Sequence, residues 1–236
     1  MRQKEPLYMQ VRRTLIERLS QSKWAPGQML PSEIALGEDL GVSQGTVRKA
    51  IDNLCAEGAL RRHQGSGTFV AEQTEESANF KFLRLTDPAG NRVFPELQRQ
   101  ISVVELASTE IAGRLALEDG ARVHVLDRIR AVDGVNALLE HITVPEAIMP
   151  GLSDAAPLPN ALYPHYQSAY GVHVMRTEDA LSATTADTRQ ARALGVDVGI
   201  PLLALERVAY DLIGRAVEHR RSWVLTTGLS FRVALN

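Results

Sequence analysis

Cysteine is almost absent, with Cys55 the single one in 236 residues. One thiol cannot close a disulfide within the chain, so a reducing compartment is the economical expectation. Long apolar runs are missing too. Nowhere do about 18 apolar residues follow one another, and the opening MRQKEPLYMQ has no apolar stretch behind its charges, so neither a signal peptide nor a membrane span is expected. The expectation is a cytoplasmic chain with no membrane partner. The six histidines are scattered and have no cysteine cluster beside them, so no metal-binding spacing arises. Neither a Ser-His-Asp spacing nor a phosphate-cradling glycine loop is present. No metal or cofactor is therefore expected.

What is present is an uneven charge. Residues 1 to 70 hold ten Lys/Arg and seven Asp/Glu, net +3, while the rest hold sixteen and twenty-one, net −5. A basic module ahead of a larger acidic one suggests a part that faces a polyanion and a part that stays off it. An apolar content of 44% suits a buried core in each.

Periodicity divides the basic module further. Leu7, Val11, Leu15 and Leu19 recur every four residues behind Pro6, with Ile16 widening the stripe, which predicts an amphipathic helix ending before Trp24. LPSEIALGEDLGV predicts a short second helix with Ser32 as N-cap, apolar Ile34, Leu36 and Leu40, and a stop at Gly41. A third helix follows Ser43 with Val47, Ala50, Ile51 and Leu54 as its inner stripe and Gly58 as its C-cap. Its outer face keeps Gln44, Gly45, Arg48, Lys49 and Asn53, and Arg48 and Lys49 are basic where a helix start ordinarily favours acidic residues. Two β-prone runs, Ala59 to His63 and Thr68 to Ala71, flank the tip Gln64-Gly65-Ser66-Gly67 and predict a hairpin. Three helices and a hairpin form a winged helix-turn-helix. The polar, aperiodic stretch 72–79 is the expected linker, giving domains at 1–71 and 80–236.

Beyond it the pattern becomes that of antiparallel hairpins with short helices, an α+β domain. ARVHVLDRIRAVDGVNALLEHITVP turns at Asp133-Gly134, and PLLALERVAYDLIGRAVEHRRSWVL turns at Ile213-Gly214. TEIAGRLAL and DTRQARALGV read as helices, the second opened by a capping box of Asp187 and Gln190. NALYPHYQSAYGV is helical if Pro164 lies in its first turn.

PLY, W-x-PG, LPSE, GVS-x-x-TVRKA, LxxEG and GSGTFV occur in order between Pro6 and Val70. With these motifs the N-terminal part resembles the DNA-binding domain of GntR-family bacterial transcription regulators. Arg128-x-Arg130, Glu140, LPNALYPHY and LGVDVGIPLLALERVAYD make the remainder similar to the HutC subfamily, whose C-terminal domain has a chorismate-lyase-like fold and binds a small effector. The resemblance implies that Ser32, Glu33, Ser43, Gln44, Thr46, Arg48, Lys49, Arg62, Gln64, Gly65, Ser66 and Gly67 face a double-stranded DNA operator. It implies that Arg128, Arg130, Glu140, Tyr163 and Glu218 hold an effector.

Chemistry agrees on both counts. Hydroxyls and free N–H groups at a helix N-terminus suit phosphate oxygens, and an arginine there reaches phosphate or guanine. Arg128 and Arg130, two apart on a strand, share a face and can clamp a carboxylate or phosphate, while Glu140 and Glu218 can orient hydroxyls or amines. The arginines could instead belong to cross-strand salt bridges, and Arg207 is read as a structural ion-pairing residue. Family members often carry Arg where this chain has Ile34 and Gln44, so a different operator is expected, with Gln44 a candidate to pair with adenine. Some phosphosugar-binding relatives have Ser at the position of Ala161, which leaves a carboxylate as open as a phosphate. A homodimeric, effector-responsive repressor is the leading expectation. A chorismate-lyase-like enzyme and an effector-blind architectural DNA binder are the alternatives.

Overall fold

The computed structural model describes residues 5–155 and 157–233. The ends of the two expected domains, residues 1–4 and 234–236, lie outside the described residues. In chain order the helices are α1 (Leu7–Ser20), α2 (Glu33–Leu40), α3 (Gln44–Glu57), α4 (Glu75–Phe82), α5 (Thr109–Leu115), α6 (Leu162–Tyr170) and α7 (Thr188–Leu194). The strands are β1 (Leu60–His63), β2 (Gly67–Val70), β3 (Leu85–Thr86), β4 (Glu96–Leu106), β5 (Arg122–Val132), β6 (Val135–Pro145), β7 (Val174–Thr185), β8 (Pro201–Asp211), β9 (Ala216–Leu225) and β10 (Ser230–Phe231). They fall into two compact units. The first runs to Thr74 and takes in Tyr163–Met175 and Asp211–Gly214, and the second holds Glu75–Leu162, Arg176–Tyr210 and the chain from Arg215 onward.

In the first unit each helix ends where its sequence signals place the end. The Ser32 hydroxyl accepts from the Ala35 N–H at 3.1 Å, and the Ser43 hydroxyl accepts from the Thr46 N–H at 3.3 Å. Gly41 and Gly58 close α2 and α3 in the left-handed conformation, φ 67° and 83°. Val11, Leu15, Ile16 and Leu19 of α1 pack with Val47, Ala50, Ile51 and Leu54 of α3 in one core. Each valine, leucine and isoleucine among them contributes roughly 1.5–3 kcal/mol when fully buried. Ile34, expected on the inner stripe of α2, is 58% exposed. Two residues along a helix is about 200° of rotation, so Ile34 faces away while Leu36 is buried.

Gly37 explains how tightly this unit is built. A Cβ there would lie 2.9 Å from the Val42 carbonyl oxygen, which belongs to the turn between α2 and α3. Gly37→Ala is therefore expected to lower stability by about 1–3 kcal/mol through forced backbone movement. Thermal unfolding of the variant checks this, and a melting temperature equal to that of the wild type would refute it.

Within the stretch 72–79, expected as an aperiodic linker, helix α4 begins at Glu75. Gln167 on α6 donates through Nε2 to the Ala71 carbonyl at 2.7 Å and accepts from the Gln73 N–H at 2.7 Å. Gln73 Nε2 donates to the Val174 carbonyl at 2.6 Å. The chain then enters α4, whose first-turn Glu75 and Glu76 complement the helix dipole. Acidic residues that read as linker composition are here a helix start.

The second unit is built on a six-stranded sheet of order β4-β5-β6-β9-β8-β7. The β4–β5, β5–β6, β6–β9 and β8–β9 pairs are antiparallel. The β5–β6 turn uses Asp133 and Gly134 at φ 50° and 78°, the paired left-handed residues of a tight hairpin. Asp187 and Gln190 form the expected capping box of α7. Helices α5 and α7 pack through Leu115 and Leu194 on the sheet face that carries Val208 and Leu139. By strand alternation the opposite face carries Arg128, Arg130, Glu140, Glu218 and Arg220.

Candidate functional sites

The first site begins with a carboxylate. Glu33 opens α2, and its Oε2 accepts from Gln44 Nε2 at 3.2 Å and from Arg48 Nε at 2.9 Å. Its Oε1 accepts from Arg62 on the wing strand β1 at 2.9 Å. Partial burial would push the Glu33 carboxyl up, but these hydrogen bonds and the Arg48 and Arg62 charges hold it below the usual range. Arg62 also pairs with Asp52 at 2.8 Å. The start of α2, the start of α3 and the wing thus converge on one acidic group.

These elements enclose an open groove of about 640 Å³, bordered by Ser32, Glu33, Ile34, Gln44 and the wing residues Arg62 to Thr68. Gly65 and Gly67, at φ 76° and 124°, shape the wing tip, and a Cβ on Gly67 would press on the Met29 sulfur at 3.2 Å. Gln64 and Ser66 are exposed beside them. Ser43 and Thr46 are linked by their hydroxyls at 2.9 Å, at the start of α3. Lys49 stands apart: its ammonium lies 4.1 Å from the centre of the Tyr8 ring, a cation–π contact with α1.

The second site is a buried cluster of charge. Arg128 and Glu140 are paired positions on β5 and β6, fully buried. Arg128 donates to the Pro159 and Asn160 carbonyls at 2.7 and 3.2 Å, and Arg130 donates to the Pro95 carbonyl at 2.6 Å. Glu140 accepts from Arg220 at 2.8 Å, and the same guanidinium makes two 2.9 Å hydrogen bonds to Glu218. Burial alone would raise the Glu140 carboxyl, but Arg220, Arg130 and Arg128 hold it down at about 2. Burial presses the Arg130 guanidinium below its ordinary value, against the pull of Glu140. Among the described residues Arg130 Nε and Glu140 Oε2 are buried without a hydrogen-bond partner.

Arg220 was not among the sequence candidates. The signal was its place two residues from Glu218 on one strand, which puts both side chains on one face. Tyr163 falls in the first unit, on α6, buried with its ring 5.9 Å from that of Tyr166, whereas Arg128, Arg130, Glu140 and Glu218 belong to the second. Arg207 fulfils its structural reading, with a two-point pair to Asp179 at 2.7 and 2.6 Å and a bond to the Phe82 carbonyl.

A winged helix-turn-helix with polar and basic helix starts, followed by a sheet domain with an inward-facing charge cluster, defines a DNA-binding regulator that carries a ligand-binding domain. Residues 7–70 match the bacterial regulatory proteins of the gntR family, and residues 99–227 match the UTRA domain. The chain belongs to the GntR family, in the group that carries a UTRA domain, and it is a transcriptional regulator. It is similar to the HTH-type transcriptional repressor NagR of Bacillus subtilis, 29% identical over 92% of this chain and 89% of that one. It is similar to the histidine utilization repressor of Pseudomonas putida, 30% identical over 86% of this chain and 81% of that one. The crystal structure of PhnF from Mycobacterium smegmatis superposes with a TM-score of 0.56 at 28% identity, covering 96% of this chain and 99% of that one. The family and these relatives are regulators rather than enzymes, which sets aside the chorismate-lyase-like alternative. Among the described residues no helix is long and apolar enough to cross a membrane.

Proposed function

We propose that the protein is a cytoplasmic, homodimeric repressor whose operator binding responds to a small anionic metabolite. The observation that carries the reading is the convergence of Gln44, Arg48 and Arg62 on Glu33 inside the groove between helix starts and wing. The start of α3 enters the major groove, with Ser32, Ser43 and Thr46 at phosphates and Arg48 and Gln44 toward base edges. Gln44 gives one amide N–H to Glu33 and keeps its second N–H and Oε1, the two atoms that adenine N7 and N6 require. Gln64, Gly65, Ser66 and Gly67 bring the wing tip close to the sugar-phosphate backbone. Lys49 contributes charge from the flank. Two copies would read half-sites about one helical turn apart, roughly 34 Å.

In the C-terminal domain Arg128 and Arg130 supply the positive charge for a carboxylate or phosphate. Glu140, Glu218 and Arg220 recognise its hydroxyl or amine substituents. Support comes from Arg130 Nε and Glu140 Oε2, a donor and an acceptor with nothing to bond, the arrangement a ligand of both characters would complete. One relative is named for histidine utilization and another, from Escherichia coli, for a fructoselysine utilization operon. Both compounds carry an amino-acid carboxylate.

The coupling is reciprocal: an effector that weakens operator binding must bind the DNA complex more weakly by the same factor. The experiment is to select operator sites from random DNA with the wild type and with Gln44→Arg, then titrate carboxylate and phosphate metabolites into the selected complex. A changed consensus for Gln44→Arg, and one metabolite that shifts operator affinity, are expected. An unchanged consensus would remove Gln44 from the reading head. A metabolite that binds the free protein yet leaves operator affinity unmoved would remove the switch.

A further inference from the structure

The sheet face that turns away from the Arg128–Glu140–Arg220 cluster carries a second concavity. It has a volume of about 780 Å³ and lies between β4, β5, β6 and α7. That is within the size range of small-molecule sites. Its floor is apolar, made by Ile101, Ile129 and Leu139, and Ile101 is 49% exposed there. Arg99 on one wall and Arg192 on the other border it. Both are exposed, and among the described residues neither has an ion-pair or hydrogen-bond partner. The carboxylate in the groove is already committed: Asp127 accepts from Arg189 at 2.7 Å and bonds His141 Nδ1 at 2.8 Å.

Two irregularities in the sheet create this wall. Between Leu97 and Arg99 the β4–β5 register slips: Leu97 pairs with Arg130, and Arg99 pairs with Ile129. In a regular strand residues 97 and 99 would share a face; the extra residue turns Arg99 onto the face of Ile129 and away from Arg130. Between Arg130 and Ala131 the β5–β6 register slips in the same way, and Ala131 pairs with Asn136 rather than with residue 137. That slip turns Asn136 onto the groove face, where its Nδ2 donates to the Ala193 carbonyl at 3.0 Å and fixes α7 against the sheet. Each bulge moves one polar side chain to the same side of the sheet. Bulges of this kind re-aim side chains beside binding sites.

We propose that this groove is a second ligand site, for an organic anion with an apolar body. A carboxylate or phosphate lies between Arg99 and Arg192, and the body rests on Ile101, Ile129 and Leu139. The site is separate from the buried cluster, since the two use opposite faces of the same strands, and it stands independently of the effector reading above.

Naphthalene-2-carboxylate is the probe, added to the full chain carrying isotope-labelled isoleucine methyl groups. Saturable shifts of the Ile101 and Ile129 methyl signals are expected, with the Ile142 signal on the other face unmoved. The double substitution Arg99→Gln and Arg192→Gln is expected to weaken binding roughly tenfold, as for the loss of charge-assisted hydrogen bonds. Naphthalene-2-carboxamide, which has the same body without the charge, is expected to bind the wild type about as weakly as the acid binds that variant. Both substituted residues are exposed, so the variant keeps its fold, which its other methyl signals report. The proposal is overturned if no saturable shift occurs at Ile101 and Ile129, if the double substitution leaves the affinity unchanged, or if the only shifts are on the Ile142 face.

Discussion

Replacing Arg220 by alanine is expected to cost the fold about 3–5 kcal/mol at neutral pH, the magnitude for removing one partner from a buried ionic cluster. Arg220 bonds both Glu140 and Glu218, and all three are buried or nearly so. Without it two buried carboxylates lose their shared cation, and Glu140 keeps the charges of Arg130 and Arg128. The loss should depend on pH, and its sign follows from Glu140. In the wild type that carboxyl sits at about 2 against an ordinary 4.5. Its pairing therefore stabilises the fold fully above about pH 4.5 and fades as the pH falls toward 2. In Arg220→Ala burial is less opposed, so the Glu140 carboxyl rises and takes up a proton earlier on acidification. The deficit relative to the wild type is thus greatest at pH 7 and narrows in acid. Urea unfolding of both proteins at pH 7 and at pH 3.5 measures it. Equal deficits at the two pH values would show that Arg220 supports the fold through packing rather than through charge.

Much of the architecture was legible because its signals are local. Ser32, Ser43, Gly41 and Gly58 each act within one helical turn, and each ends its helix as the sequence indicates. Asp133-Gly134 sets a hairpin with two residues, and Asp187 with Gln190 caps α7 within four. What escaped depends on distance. Arg220 and Glu140 lie 80 residues apart and meet only once β6 and β9 pair. A bulge changes no residue type, so the slips that turn Arg99 and Asn136 onto a common face leave no mark in the pattern of apolar and polar residues. Helix α4 escaped for another reason: Glu75 and Glu76 are as suited to a solvated linker as to a helix start, and only the contacts of the finished fold decide between them. Ile34 was misplaced because α2 is too short for its apolar residues to define one stripe; burial of Leu36 and Gly37 sets its rotation.

Glu33 turns the proposed DNA-reading surface into a test of charge against order. Arg48→Ala is expected to weaken operator binding by roughly tenfold to a hundredfold, the range for losing a good base-directed arginine contact. Glu33→Gln should do something different. It removes a negative charge from the surface proposed to meet phosphates, so binding to unrelated DNA should tighten, and the fall of log affinity with log salt should steepen by about one. The same change loosens the array, since Arg48, Gln44 and the wing residue Arg62 lose the carboxylate that draws them together. Arg62 retains Asp52, so the wing is held from one side, while Gln44 and Arg48 become free to sample other rotamers. Discrimination between operator and random DNA should therefore fall even as bulk affinity rises. The two substitutions should also couple: once Arg48 is gone, Glu33 has less to organise, and Glu33→Gln should lose less discrimination than it does alone, by about 0.5–3 kcal/mol. Fluorescence anisotropy with operator and scrambled duplexes over a salt series, applied to both single variants and the double, separates the two roles. If Glu33→Gln weakens binding to both duplexes equally, the carboxylate contacts DNA itself; if it only strengthens both, Glu33 is an electrostatic brake with no part in sequence reading. A gain on random DNA with a loss of preference is the outcome that fits a carboxylate holding three donors in place.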